Sequence, residues 1–233
     1  MFTIALAQMN IGIDNKYDYA ENMCSDYITS EKPDFIITVS EDEINKEKTS
    51  VDTDSGYAES LAIYRKIAIK ILSQNGFLMH GVVADIKGTG VAFLAPSGVG
   101  KSTHASLWQE LLGDKFTYVN GDKPLVRIFG NKVYAYGTPW SGKENLHSNM
   151  KTVLKKVCFI KRAEKNSCVR LKKTEILEPL MNQIYMPANA GSFLSFLNIL
   201  SNFIENIEFY IINCNTNADA AKTAFEVIFN DRH

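Results

Sequence analysis

The run Ala95-Pro96-Ser97-Gly98-Val99-Gly100-Lys101-Ser102-Thr103 constrains this chain more than any other stretch. It follows an apolar segment, 91–95, and leads into a segment of helical spacing that ends at Leu112-Gly113. It matches the pattern G-x-x-x-x-G-K-[ST], except that Ala95 stands at the first glycine. In such a loop, Gly98 and Gly100 let the backbone curl so that successive N–H groups face inward as an anion nest. The start of the following helix adds the positive end of its dipole. Ser97, Gly98, Val99, Gly100, Lys101, Ser102 and Thr103 are therefore the candidate phosphate cradle. Lys101 would reach the β- and γ-phosphates as a point charge, and Ser102 would offer a hydroxyl to Mg2+.

The elements around the loop indicate what kind of sheet holds it. Residues 77–86 and 90–95 are apolar runs joined by Lys87-Gly88, which reads as a hairpin. After the loop come a helix over 102–112 and a strand over 116–120. A second hairpin follows, 125–129 and 132–136, around Gly130-Asn131 with the type II′ pattern. Further strands are predicted over 153–161 and 207–213, and helices over 174–185, 190–206 and 217–229, the first kinked or restarted at Pro179. A hairpin partner before the loop, in place of a helix, predicts a mixed, partly antiparallel sheet: an α/β (α+β) domain over 77–233. Residues 1–76 read as a small α/β region. It has a strand over 3–13, a helix over 17–28, a strand over 34–40, a charged loop or weak helix over 41–54, and a helix over 57–73. In that last helix Ile63, Ile67 and Ile71 share one face.

Composition narrows the class. With 45% hydrophobic and 22% charged residues among 233, the chain is neither low-complexity nor disordered. Its formal net charge of -1 gives no bulk attraction to nucleic acid or to an anionic membrane. The greasiest late stretch, 193–207, is interrupted by Ser195, Asn198, Ser201, Asn202, Glu205 and Asn206, which excludes a bilayer span. That stripe reads as core or as a subunit interface, so a homo-oligomer is admissible. Cys24, Cys158, Cys168 and Cys214 form no C-x-x-C pair and read as reduced thiols, and 1–7 lacks a signal-peptide pattern. The expectation is a soluble, cytoplasmic protein.

The run His80-Gly81-Val82-Val83-Ala84-Asp85-Ile86, then Gly88-x-Gly90-Val91, then Ser97 to Ser102, resembles the core of HPr kinase/phosphorylase. That family shares its nucleotide-binding fold with phosphoenolpyruvate carboxykinase. The resemblance is close over 80–102, weaker to about 127, and absent from 1–76. From 137 onward the chain is similar to a group of small HPr-kinase-like proteins marked by Gly137-Thr138-Pro139-Trp140-Ser141-Gly142-Lys143. The resemblance implies an ATP-dependent kinase with Mg2+, acting on a hydroxyl of a small protein, a peptide or a small molecule. It places His80 at the family's active-site histidine. It places two adjacent Asp residues, one for Mg2+ and one as base, where this chain has Gly121 and Asp122.

From the residues alone, Asp122 ends a strand and can hold Mg2+ opposite Ser102, or be an ordinary turn residue. For His80 the resemblance implies a hydrogen bond to a carboxylate base or to the transferring group, or a base that takes the proton itself; by its residue type alone it can equally be a satisfied histidine at a strand edge. His80, Lys101 and Asp122 are the catalytic candidates, and Ser102 and Asp122 the metal candidates. A second acid at position 121 would keep or raise activity if the backbone there tolerates a side chain. Within 137–145, Trp140 can stack on a base and Lys143 meet a phosphate; equally, the segment is a tight loop on a buried Trp. Lys123 and Arg127 are cations that can neutralise transition-state charge, although Arg127 can equally face solvent. His104 and His147 read as packed or solvated. Two clusters, Lys151/Lys155/Lys156 and Lys161/Arg162/Lys165, read as solvated faces or as attractors of an acidic partner. The competing function is a nucleotide-binding switch or pseudokinase. A carboxykinase would need a second metal site and an Arg-rich pocket, which the sequence does not display.

Overall fold

The computed structural model describes residues 1–49, 53–187 and 190–230. The chain falls into two compact units, Met1–Gln74 and Asn75–His233. In the first, β1 (Phe2–Leu6) and β2 (Met9–Asp14) are antiparallel, and β3 (Phe35–Thr38) lies parallel to β2. The single strand expected over 3–13 is in fact this hairpin. Ala7 and Gln8 both adopt positive φ, 50° and 60°, and reverse the chain without a glycine to announce it. Helices α1 (Asp18–Met23), α2 (Glu41–Glu47) and α3 (Ser55–Lys70) complete the unit. The charged stretch 41–54 is helical over its first half, because Ser40 and Glu43 form a reciprocal capping box. Its residues 50–52 lie outside the described residues. Ile63, Ile67 and Ile71 are all buried on one face, as their spacing predicts.

The second unit is built on a nine-stranded mixed sheet. Its strands are β4 (Gly76–Leu78), β5 (Val82–Ile86), β6 (Thr89–Leu94), β7 (Phe116–Asn120), β8 (Leu125–Phe129), β9 (Lys132–Tyr136), β10 (Lys151–Arg162), β11 (Ser167–Arg170) and β12 (Glu208–Cys214). β10 is its spine. Residues 151–153 pair antiparallel with β9, while the rest runs parallel to β6 on one side and β12 on the other. Both expected hairpins are present. Lys87 and Gly88 turn β5 into β6, and Gly130 at φ 61° turns β8 into β9.

Two expectations for this second unit need correction. The apolar run 77–86 is not one strand. β4 pairs with β8, β5 pairs with β6 and β7, and 79–81 cross between them. The crossing depends on Gly81: a Cβ there would sit 2.3 Å from Leu94 Cδ2 and 2.9 Å from the Phe93 carbonyl. The helix expected over 174–185 is a 3₁₀ turn, Lys173–Glu175, followed by the short α5 (Leu177–Met181). Pro179 falls in the first turn of α5, where its missing N–H costs nothing. β11 lacks a strand's sequence pattern and forms only as an edge partner of β12.

Three helices cover the sheet: α4 (Lys101–Leu112), α6 (Ala190–Asn206) and α7 (Asp219–Asn230). Alternation along the strands assigns the faces. Val91, Phe93, Cys158, Ile160, Tyr210 and Ile212 share one core cluster with α4 and α7, centred on fully buried Trp108. Trp108 meets Phe93 at 5.2 Å and Phe225 at 5.7 Å, edge to face. Phe159 and Phe209 point to the other face, where Phe203 of α6 packs on Phe209 and Phe77. The four cysteines are free, three of them buried. Among the described residues no helix is long and apolar enough to cross a membrane.

Candidate functional site

β5 runs antiparallel to both of its neighbours, with Val82 opposite Phe93 of β6 and Val83 opposite Asn120 of β7. The start of β5 therefore lies beside the ends of β6 and β7. Three loops meet at that edge of the sheet: 79–81, 95–100 and 121–124. β10, parallel to β6 with Phe159 beside Leu94, brings its last residue, Arg162, to the same edge.

Between β6 and α4 the chain makes the tight glycine turn. Gly98 has φ +78° and Gly100 φ +120°, and a Cβ at either would meet no heavy atom within 4 Å. Backbone conformation, not crowding, requires glycine there, and the space beside both residues is open. Gly100 caps α4 without any side-chain help, so the first N–H groups of the helix have no intrahelical acceptor. Lys101 is buried, and its Nζ donates to the Ala95 carbonyl at 2.8 Å, folded back across the turn. Burial pushes the ammonium pKa down and Lys123 adds to that, while the Asp122 carboxylate opposes both. Val99 packs on the core, Ser102 is half-buried, and Ser97 and Thr103 are exposed.

Asp122 is held from two sides. Its Oδ1 lies 3.2 Å from His80 Nε2, and Lys123 Nζ donates to its Oδ2. Burial pushes the carboxyl up, but the hydrogen bonds from His80 and Lys123 outweigh it and hold the pKa at about 2. Buried Asn120 sets this turn: its Oδ1 accepts the N–H groups of Asp122 and Lys123, and its Nδ2 donates to the Thr138 carbonyl. The Gly81 N–H donates to the Asp122 carbonyl at 2.8 Å, tying the His80 loop to the Asp122 loop. The structure thus gathers His80, Asp122 and Lys123 and sets Lys101 within their field.

Other sequence candidates fall elsewhere. Trp140 is buried, which makes 137–145 an anchored loop and removes Trp140 as a stacking surface; Lys143 is exposed. His104 is buried and accepts a hydrogen bond from Trp108 Nε1 at 3.0 Å, and His147 bridges to Asn120. Arg127 does not face solvent: it is buried, with its guanidinium 4.7 Å from the Phe129 ring. Lys156 is no simple solvated charge either, since it pairs with Glu208 and lies over the Tyr210 and Phe229 rings. Arg162 is likewise more than a solvated charge, bonding carbonyls of the glycine turn. Sequence reasoning missed Asn120 and Arg162. An Asn before Gly-Asp is a turn signal that points to the first; nothing local points to Arg162, whose partners are more than sixty residues away.

No family model matches the chain, and no curated protein matches it. Among solved structures, the Hpr(Ser) kinase/phosphatase from Coxiella burnetii overlaps 54% of this chain and 89% of that chain, at 14% identity and a TM-score of 0.30.

Proposed function

We propose that the second unit binds ATP through 97–103 and transfers its γ-phosphoryl group to a hydroxyl acceptor, as a kinase. The observation that carries this reading is the convergence at one sheet edge of a strand–glycine turn–helix bearing Lys101 with the His80–Asp122–Lys123 cluster. The open, side-chain-free cradle at Gly98 and Gly100 suits a polyphosphate. The donor set also suits Mg2+: one hydroxyl, Ser102, and one carboxylate, Asp122, with phosphate oxygens and water as the remaining ligands. When bound, Mg2+ supplies neutralisation of the charge on the β- and γ-phosphates. Lys101, released from Ala95, and Lys123 stabilise the charge that develops on the transferred group. Asp122, with its pKa near 2, is a poor proton acceptor, so His80 takes the proton of the attacking hydroxyl while Asp122 orients the imidazole.

The test is calorimetric binding of Mg-ATP, followed by transfer to hydroxyl acceptors. Lys101→Ala is expected to weaken binding at least about tenfold, since charge-assisted contacts contribute roughly 1.5–3 kcal/mol. Unchanged affinity ends the reading. One observation favours the second reading, a nucleotide-binding switch without transfer. Among the described residues the cluster holds one carboxylate, Asp122, and it is already ion-paired. Tight Mg-ATP binding with no acceptor ever phosphorylated would select it.

A further inference from the structure

Arg162 ends β10, exposed, beside the glycine turn. Its Nε donates to the Val99 carbonyl at 3.0 Å, and a terminal nitrogen donates to the Gly98 carbonyl. One guanidinium therefore grips two consecutive peptide planes. Both peptides are trans, so within each plane the N–H points opposite to the C=O. Holding the Gly98 and Val99 carbonyls toward Arg162 turns the Val99 and Gly100 N–H groups away from it. The Val99 N–H closes the turn onto the Pro96 carbonyl. The Gly100 N–H stands at the mouth of α4, beside the first-turn N–H groups.

The planes need holding. Gly98 and Gly100, both at positive φ, flank them, and neither has side-chain contacts to fix its conformation. Left alone, such a turn samples other arrangements, and a ligand needing one of them binds more weakly in proportion. We infer that Arg162 is a positioning residue of the phosphate cradle: it preorganises 98–100 for the polyphosphate of a nucleotide by fixing two carbonyls outward. This rests on the phosphate-cradle reading above. The chemistry is that of a fork. Two N–H groups in one plane match two adjacent carbonyls, which a lysine ammonium cannot reproduce. The strand register makes it geometrically available, because β10 runs parallel to β6 and extends beyond it at the loop end.

The experiment measures inorganic pyrophosphate and Mg-ATP binding by calorimetry to wild type, Arg162→Ala, Arg162→Lys and Lys101→Ala, with thermal melting as a fold control. Arg162→Ala is expected to weaken pyrophosphate about tenfold at unchanged melting temperature, with Arg162→Lys recovering only part of the loss. Amide exchange at Val99, whose N–H closes the turn onto the Pro96 carbonyl, should quicken in Arg162→Ala. If Lys101→Ala loses pyrophosphate while Arg162→Ala binds it as wild type does, the positioning role is overturned and the cradle stands. Full recovery in Arg162→Lys overturns the fork and leaves only charge. If Lys101→Ala also binds normally, the cradle itself falls, and this inference with it.

Discussion

Glycines around the candidate site do two different jobs, and only one of them is legible in the sequence. Gly98 and Gly100 are glycine for the backbone, in a motif that announces itself. Gly121 is glycine for space: its φ is not positive, yet a Cβ would lie 3.0 Å from the Ser141 carbonyl and 3.2 Å from Leu146. Ser141 and Leu146, on the stretch that approaches Asp122 through Gly142, leave little room for a side chain at 121. Introducing an acid at 121 is therefore not a local change. Gly121→Asp is expected to destabilise by about 1–3 kcal/mol, seen as a lowered denaturant midpoint, and not to raise phosphoryl transfer. A more active variant at full stability would show that the loop yields. Lys101 behaves in the opposite sense. It is buried, and burial disfavours its charge. Lys101→Met keeps the stem and removes that penalty. Stability should stay within about 1 kcal/mol of wild type while nucleotide affinity drops. A collapse in melting temperature would mean that the ammonium's bond to Ala95 is structural.

At the scale of elements, signals within a short window were the readable ones. Both hairpins of the second unit, the glycine-turn-to-α4 junction and the buried isoleucine face of α3 follow from neighbours in sequence. What escaped mostly depends on distant partners, as with the division of 77–86 between two strand pairings and the edge strand β11; the turn at Ala7-Gln8 is local but has no glycine to announce it. Helix α4 carries a pH signature of its own. Burial holds His104 neutral, with its pKa lowered to about 4 against an ordinary 6.5. The unfolded chain thus binds a proton between those values when the folded chain does not, so stability rises with pH across that window. The full stability is present above about 6.5, and up to roughly 3 kcal/mol is lost as pH falls to about 4. His104→Gln keeps an acceptor for Trp108 Nε1–H but cannot charge. Urea denaturation of the two proteins at pH 7 and pH 4.5 should show a smaller acid loss in the variant. Equal losses would place the acid sensitivity elsewhere.

For the whole molecule, the mixed sheet was legible because a hairpin precedes the glycine turn. Its spine was not: the one long strand β10 takes partners from three parts of the chain, and only the folded register reveals that Arg162 reaches the turn. The net charge of -1 carries no general attraction for an anion, so the nucleotide binding proposed above requires a local field. Lys101, Lys123 and Arg162 supply it at one edge of one unit, partly offset by Asp122. A ligand that binds only the folded form of that unit stabilises it by mass action, by about 2.7 kcal/mol when present at about a hundred times its dissociation constant. Amides of the second unit that exchange only through its global opening should then slow by up to about a hundredfold with Mg-ATP, and those of 97–103 should slow as well. Hydrogen exchange read by mass spectrometry resolves this by peptide. Slowing confined to Met1–Gln74 would move the nucleotide site to the first unit, whatever the motif at 97–103 suggests.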